Sequence, residues 1–112
     1  MTKRGYLGEF EQLVLLAVMR LGPQSYGVTI REEIESRSGR RVSLGAIYPT
    51  LDRLEAKGFV SSYSGKPTGE RGGRSRRHFA IEPLGAEALR RSWEMLTSLW
   101  DGYEPKPQRE TE

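Results

Sequence analysis

Residues 43–64 read SLGAIYPTLDRLEAKGFVSSYS, a helical pattern followed directly by a strand pattern. Ser43 is a good N-cap residue, and Gly58 ends the helical part. From residue 59 onwards the residues alternate as in a half-buried strand, with Phe59, Ser61 and Tyr63 on one face. The helix is predicted to bury a stripe of apolar residues at helical spacing, namely Leu44, Ile47, Tyr48, Leu51 and Leu54.

Pro49 lies inside this helical pattern. A proline in a helix interior removes a backbone donor and costs about 3 kcal/mol. A residue that breaks a local rule without structural gain points to function, here a distorted first turn. The alternative is that the helix simply begins at Pro49 as its first residue.

Two further helices are predicted upstream. Residues 8–21 are apolar on nearly all sides, with Leu15, Leu16 and Met19 opposite the main stripe. Such a helix is expected to be buried on two faces, one within the chain and one against a second subunit. A second helix, residues 26–37, has Ser25 as its expected N-cap and Gly39 as its expected C-cap.

The region after the first strand predicts a hairpin and a final helix. Residues 76–81 alternate as a second strand, and residues 65–74 form the tip between the strands. Five basic side chains and one acidic side chain lie within residues 65–77, whereas the whole chain has a net charge of +3. This concentration favours a polyanion partner, the alternative being a solvated arginine-rich loop. The last helix is predicted over residues 83–103.

Composition limits the classes of protein that fit. The 112 residues suffice for one domain, and with 36% hydrophobic residues its small core gains from a partner subunit. The chain has no cysteine, which excludes disulfide scaffolds and thiolate zinc sites and fits a reducing compartment. The longest apolar run, residues 13–19, is too short to span a membrane. We therefore expect a cytoplasmic protein with no membrane partner.

Three helices followed by a two-stranded ribbon have the order of a winged helix-turn-helix. The expected fold is therefore mainly α with a small β-ribbon, completed by a C-terminal dimerisation helix. Residues 1–7 are predicted as a flexible leader, 8–82 as the DNA-binding domain, 83–103 as the dimerisation helix and 104–112 as a disordered tail.

Several motifs resemble the PadR family of bacterial transcriptional regulators. They are YGVTI at 26–30, LGAIYPTL at 44–51, RLE at 53–55, GFV at 58–60 and GRSRR at 73–77. The resemblance extends from about Phe10 to Trp100 and is to the short form with one C-terminal helix. It implies a homodimer held by the first and last helices that binds a two-fold operator, often as a repressor. EPLG at 82–85 departs from the family pattern, which is expected to alter only the start of the last helix.

The resemblance and the physics of helix ends predict a set of contacts to double-stranded DNA. Small residues and free N–H groups at the start of the third helix suit phosphate, and Arg53 is the expected guanine reader. The alternatives are a surface ion pair for Arg53 and core burial for Tyr48. The predicted DNA-binding residues are Tyr26, Ser43, Gly45, Ala46, Tyr48, Pro49, Thr50, Arg53, Arg71, Arg74, Arg76 and Arg77.

The last helix carries a seam at heptad spacing, which predicts a dimer interface. The residues expected there are Phe10, Leu13, Leu16, Leu89, Trp93, Leu96 and Trp100. The family resemblance implies that Trp93 and Trp100 line a pore for a planar hydrophobic effector, with packing without a ligand as the alternative.

No residue set for catalysis, no metal-ligand spacing and no cofactor motif is present, and His78 is expected to be a surface or phosphate contact. The predicted function is a sequence-specific DNA-binding regulator, a repressor, without enzymatic activity. The alternative is a winged-helix module that binds protein or RNA. An RNA-binding module would need exposed aromatic side chains on the ribbon, whereas Tyr63 and Phe79 are assigned to the core.

Overall fold

Three helices, a two-stranded ribbon and a fourth helix follow one another along the chain, in the predicted order. The computed structural model describes residues 6–64 and 76–103. The elements are α1 (Glu9–Leu21), α2 (Gly27–Ser38), α3 (Leu44–Ala56), β1 (Val60–Ser64), β2 (Arg77–Ile81) and α4 (Pro83–Trp100), with a short 3-10 turn at Gly22–Gln24.

The core lies where α1, α2 and α3 meet β2. Its most deeply buried apolar side chains are Val14, Leu15, Val18, Ile30, Ile47, Leu51, Leu54 and Phe79. Leu15 was expected on the far side of α1, but it is fully buried, whereas Leu16 and Met19 are exposed. Leu7, which was assigned to the leader, is also buried in this core. The core therefore begins just before α1.

The junction between α1 and α2 corrects one predicted cap. Ser25 was expected to cap α2, but it is fully buried and its hydroxyl donates to the carbonyl oxygen of Val18 at 3.0 Å. Tyr26 is the N-cap, and its N–H donates to the Thr29 hydroxyl at 3.0 Å. Gly39 ends α2 in the left-handed conformation, as predicted. Ser25 therefore ties the turn back to α1 and leaves the cap to its neighbour.

Helix α3 begins at its predicted cap, since the Ser43 hydroxyl accepts from the Ala46 N–H at 3.1 Å. Pro49 lies within the helix, so the alternative start at Pro49 is wrong. The buried stripe also differs from the prediction, because Tyr48 is exposed and Thr50 is 2% exposed. Thr50 tolerates burial because its hydroxyl donates to the Ala46 carbonyl oxygen at 3.0 Å.

Strands β1 and β2 pair antiparallel, from Val60 opposite Ile81 to Ser64 opposite Arg77. The ribbon is fixed to the helices at its base, because the Phe79 N–H donates to the Ser25 carbonyl oxygen at 2.9 Å. Tyr26 forms an isolated bridge to His78 beside this bond. The base of the ribbon is thus joined to the start of α2.

Helix α4 starts against the backbone of Phe59, the residue before β1. A Cβ at Gly85 would overlap the carbonyl oxygen of Phe59, so only glycine fits there. The helix ends at Trp100, three residues before the predicted end. Leu89 is buried in the chain's own core. Among the described residues, no helix is long and apolar enough to cross a membrane.

Candidate nucleic-acid interface

The outward face of α3 carries few large side chains. Gly45, Pro49, Asp52 and Ala56 are spaced four, three and four residues apart, and all four are exposed. Three of them are small or have short, compact side chains, so a partner surface can approach the helix backbone closely. Gly45 has no other contact within 4 Å that a Cβ would meet except the Ser43 hydroxyl at 3.7 Å.

The first turn of α3 supports only part of the predicted phosphate site. Ser43, Gly45 and Ala46 are all exposed, as a contact would require. However, the Ala46 N–H already donates to both the hydroxyl and the carbonyl oxygen of Ser43. The capping residue therefore satisfies one of the donors that was expected to face phosphate.

Tyr48 packs on the start of α2 and keeps part of its ring in solvent. A Cβ at Gly27 would overlap the Tyr48 hydroxyl oxygen and ring, so glycine at 27 makes room for this side chain. Tyr48 is 38% exposed, and the alternative of core burial is therefore wrong. Thr50, in contrast, is buried, and the expectation that it faces DNA is wrong.

A cluster of charges joins α1 to the last turn of α3. The Glu11 carboxylate, in a residue that is 8% exposed, accepts from the Lys57 ammonium at 3.0 and 3.3 Å and from the Gly8 N–H at 2.9 Å. Arg53 Nε lies 3.7 Å from a Glu11 oxygen. Burial opposes ionisation, but the Gly8 N–H, Lys57 and Arg53 outweigh it and lower the pKa of Glu11. Glu11 is therefore a fixed negative charge beneath two basic side chains.

Arg77 connects β2 to α3. Its guanidinium donates to Glu55 at 2.7 Å and to Asp52 at 3.3 Å, so the predicted wing contact is already engaged in ion pairs. The Ser62 hydroxyl donates to Glu55 at 2.8 Å, and this bond together with Arg77 lowers the pKa of Glu55. Arg77 neutralises Asp52 on the otherwise bare face of α3.

Aromatic rings cluster at the base of the ribbon. His78 lies between Tyr26, in edge geometry at 5.2 Å, and Tyr63, stacked at 5.5 Å between ring centroids. The Arg76 guanidinium lies 4.6 Å above the Tyr26 ring. Both Tyr63 and Phe79 were predicted to lie in the core. Phe79 is buried there, but Tyr63 is exposed because it is at the outer end of β1. His78 is half-buried, so it is only partly accessible for the predicted surface or phosphate contact.

Two predicted contacts, Arg71 and Arg74, lie outside the described residues. Arg76 and Tyr26 are accessible beside the start of α2, and Arg53 is accessible beside the end of α3. These side chains and the outward face of α3 lie on elements that are adjacent in the fold.

A second surface, formed by α1 and α4, is apolar. A groove of about 390 Å³ between the two helices is lined by Leu16, Met19, Leu89, Trp93 and Leu96, among others. Trp93 is 65%, Leu96 55%, Leu99 82% and Trp100 60% exposed. Leu89, Phe10 and Leu13 belong to the chain's own core or its edge. Of the predicted interface residues, those that are exposed are therefore Leu16, Trp93, Leu96 and Trp100.

Residues 15–91 match the family model for the PadR-like family of transcriptional regulators. The chain belongs to this family. The match runs from the middle of α1 to the middle of α4 and includes the YGVTI and LGAIYPTL motifs, so the predicted family is confirmed. PadR family members are transcriptional regulators and not enzymes, in agreement with the predicted absence of catalysis.

Two relatives align with only part of this chain and with only part of their own sequences. The chain is 42% identical over 64 residues to the transcriptional regulator Rv3488 of Mycobacterium tuberculosis, which covers 57% of this chain and 55% of the relative. It is 35% identical over 88 residues to an uncharacterized 37.1 kDa protein in transposon TN4556 of Streptomyces fradiae, which covers 79% of this chain and 23% of that protein. The chain thus spans about half and about a quarter of the lengths of these relatives.

Solved structures share the fold of this PadR family chain. RosR of H. salinarum has a TM-score of 0.66 at 24% identity, covering 88% of this chain and 81% of that chain. A PadR family transcription regulator from Clostridium difficile R20291 has a TM-score of 0.65 at 21% identity, covering 84% and 96%. The predicted fold class is therefore confirmed.

Sequence reasoning missed the residues that hold the basic side chains in place. Glu11 and Lys57 are 46 residues apart, and Arg77 is 22 and 25 residues from its two acidic partners. No helical or strand spacing links residues so distant. Asp52 and Glu55 lie on the same helix, but only the packing of β2 beside α3 reveals their shared partner.

Proposed function

We propose that this PadR family chain is a DNA-binding transcriptional regulator whose α3 enters the major groove. The observation that carries the proposal is the outward face of α3, where Gly45, Pro49 and Ala56 present little bulk. The major groove is about 12 Å wide and accepts one helix, provided that its leading face is not obstructed. Arg53 flanks this face at its C-terminal end, where a guanine is the expected base.

Basic side chains beside α3 support contacts to the phosphate backbone. Arg76 is exposed above the Tyr26 ring at the start of α2, and the basic residues 66, 71 and 74 follow β1 in the sequence. Arg77 contributes less to such contacts, because Asp52 and Glu55 already pair with it. Phosphate contacts fix the register of a protein on DNA without reading its sequence.

We also propose a homodimer formed through α1 and α4. Exposed Trp93, Leu96, Leu99 and Trp100 form an apolar surface that a monomer would leave in water. A two-fold dimer would present two α3 helices to successive major grooves, about 34 Å apart. The proposed target is therefore a two-fold operator, and occupancy of such a site near a promoter would make the protein a repressor.

A planar hydrophobic effector is proposed for the same surface. Trp93 lines the groove between α1 and α4, and aromatic rings bind flat cations by stacking. Quenching of tryptophan fluorescence by a planar cationic dye, lost in Trp93→Ala, is the expected result. Packing of the two tryptophans without a ligand would give no quenching.

Selection from a random pool of DNA duplexes tests the regulator directly. We expect a two-fold symmetric sequence to be enriched, because each subunit of a two-fold dimer reads one half-site. Arg76→Ala should weaken binding to all duplexes and reduce the salt slope by about one unit. Arg91→Ala, which removes an exposed arginine from α4, is the matched control and should leave DNA binding unchanged. A pool without enrichment would contradict the proposal.

RNA binding is the second candidate, and exposure of Tyr63 on the ribbon favours it. However, one face of the Tyr63 ring is occupied by His78, which leaves less surface for stacking a base. Competition between the selected duplex and single-stranded RNA of the same length separates the two. RNA that displaces the duplex at equal concentration would favour the second candidate.

A further inference from the structure

The guanidinium of Arg53 is held along one edge. Its Nη2 donates to the Thr50 hydroxyl at 3.1 Å, and its Nε lies at ion-pair distance, 3.7 Å, from a Glu11 carboxylate oxygen. Nε and Nη2 form the same side of the planar guanidinium group. Two protein groups, one on α1 and one on α3, therefore occupy this side.

The opposite end of the guanidinium has no hydrogen-bond or ion-pair partner among the described residues. The side chain of Arg53 is 56% exposed, and the remaining N–H groups belong to Nη1 and the outer hydrogen of Nη2. Two parallel N–H groups at this end match the O6 and N7 acceptors of guanine in the major groove. A guanidinium that is already oriented loses less conformational entropy when it makes this pair of bonds.

Each supporting group has further partners besides Arg53. The Thr50 hydroxyl donates its own hydrogen to the Ala46 carbonyl oxygen, so its lone pair faces Arg53. Glu11 is held by Lys57 and by the Gly8 N–H, and it would keep both contacts if Arg53 moved. A support that stays in place when the arginine moves is suited to orienting it repeatedly.

We propose that Glu11 and Thr50 are positioning residues that orient Arg53 for two-bond recognition of a guanine. This inference rests on the proposed DNA-binding function. It gives buried Thr50 a role without DNA contact, and it links the readout by α3 to α1, the helix beneath it. The ion pair of Arg53 then supports base reading and does not compete with it.

A double-mutant cycle measures this positioning. The quantity is the ratio of the dissociation constants for a scrambled duplex and for the operator selected from the random pool. Arg53→Ala should lower the ratio by about 5–150-fold, the range for losing one two-bond contact to a base. Thr50→Val should lower it by about 2–10-fold, the worth of one hydrogen bond. Glu11→Gln should lower it by about 1.5–5-fold, the worth of an ion pair at the surface. In the Arg53→Ala background, neither should lower it further.

Two controls separate positioning from charge and from folding. Glu33→Gln likewise removes a carboxylate that pairs with two basic side chains, here Arg20 and Arg37, but it lies away from α3. It should raise affinity for both duplexes slightly and leave the ratio unchanged. Thr50→Ser retains the hydroxyl and should keep the wild-type ratio. Urea unfolding of each variant identifies any that are not folded.

The outcomes distinguish the inference from the function on which it rests. A pool with no enriched duplex would overturn both. An operator that depends on Arg53, but whose ratio is unchanged in Thr50→Val and Glu11→Gln, would overturn the inference alone. Equal losses with and without Arg53 would mean that Thr50 and Glu11 act on the fold, and this too would overturn it.

Discussion

Glu11 combines burial with a full set of partners, an arrangement that determines how it responds to pH. An isolated buried carboxylate would become neutral, because desolvation disfavours the charged form. Here Lys57, Arg53 and the Gly8 N–H favour the charged form more strongly, so the pKa of Glu11 is below its usual value. The same carboxylate thus stabilises the contact between α1 and α3 only while it is ionised.

Stability should therefore fall in acid through Glu11. Because the pKa is lower in the folded than in the unfolded chain, the contribution is complete above the usual value of 4.5. It is lost as the pH falls through the folded-state pKa. At about pH 7, Glu11→Gln should lower the free energy of unfolding by about 1–3 kcal/mol, as expected for a charged hydrogen-bonded group.

Urea unfolding at neutral and acidic pH checks this prediction. The difference between wild type and Glu11→Gln should shrink as the pH falls below 4.5. Glu33→Gln is the control, because the pKa of Glu33 is also lowered by Arg37 and Arg20 but its ion pairs are exposed to solvent. A difference for Glu11→Gln that is independent of pH would show that Glu11 is not the titrating group.

At the scale of single residues, the sequence predicted which basic side chains lie on the surface better than it predicted their acidic partners. Arg53 and Arg77 were singled out from their types and positions, and both are exposed beside α3. Their acidic partners could not be predicted, since each ion pair joins elements far apart in sequence. Thr50 is predicted to point away from the buried stripe and towards DNA, but it is buried, with its hydroxyl bonded within its own helix.

Among the secondary-structure elements, α3 is unusual because it has a proline in its interior. Pro49 cannot donate to the carbonyl oxygen of Gly45, and it is exposed on the outward face where no packing compensates. The helix nevertheless continues from Leu44 to Ala56. Periodicity located α3 and the strands well, whereas it could not decide whether the helix starts before the proline. The Ser43 cap bond and the burial of Ile47 place its start at Leu44.

Pro49→Ala should stabilise the protein and weaken selective DNA binding. Alanine restores the missing N–H and removes a poor helix former, which should raise the free energy of unfolding by about 1–3 kcal/mol. The substitution also removes the proline ring from the outward face, so the ratio of scrambled to operator dissociation constants should fall. Urea unfolding and duplex titration measure the two effects.

Gly45→Ala provides the comparison for Pro49→Ala. It improves helix propensity on the same face, by up to about 1 kcal/mol, without adding a backbone hydrogen bond. Its Cβ would meet only the Ser43 hydroxyl at 3.7 Å, an ordinary contact. A loss of stability in Pro49→Ala would contradict the view that the proline is retained for binding and not for folding.

For the whole molecule, the core and the apolar surface of α4 are separate features. Sequence spacing grouped Leu89 with Trp93, Leu96 and Trp100 on one seam, and they do lie along one helix. The structure divides them, because Leu89 packs into the core of its own chain while the other three are exposed. A seam pattern cannot distinguish packing within a chain from packing between chains, since both bury apolar residues at the same spacing.

The combined substitutions Leu96→Asp and Trp100→Asp should convert the proposed dimer into a folded monomer. Both side chains are more than half exposed, so the charges would disturb the interface and not the core. Sedimentation should report one chain, circular dichroism should be unchanged, and operator affinity should fall by more than about tenfold, because one half-site is lost.

Ser98→Asp serves as the control for these substitutions. It adds an acidic side chain to an exposed position of α4 on a different side of the helix from Leu96. It should remain dimeric and bind the operator as wild type does. Sedimentation of an intact dimer for the Leu96→Asp and Trp100→Asp variant would remove α4 from the proposed interface.

The contact of Gly85 with the carbonyl oxygen of Phe59 fixes the angle at which α4 leaves the ribbon. Backbone rests on backbone there, so no flexible side chain absorbs a change of angle. Ala88, Leu89 and Ser92 are buried as well, so only the last two turns of α4 project from the core. From Ser92 to Trp100 the helix rises about 12 Å, and a tilt of about 10° moves its far end by about 2 Å. If two copies pair through α4, the ends of both helices move by the same amount. A small change in the tilt of α4 then becomes an ångström-scale change in the distance between the subunits.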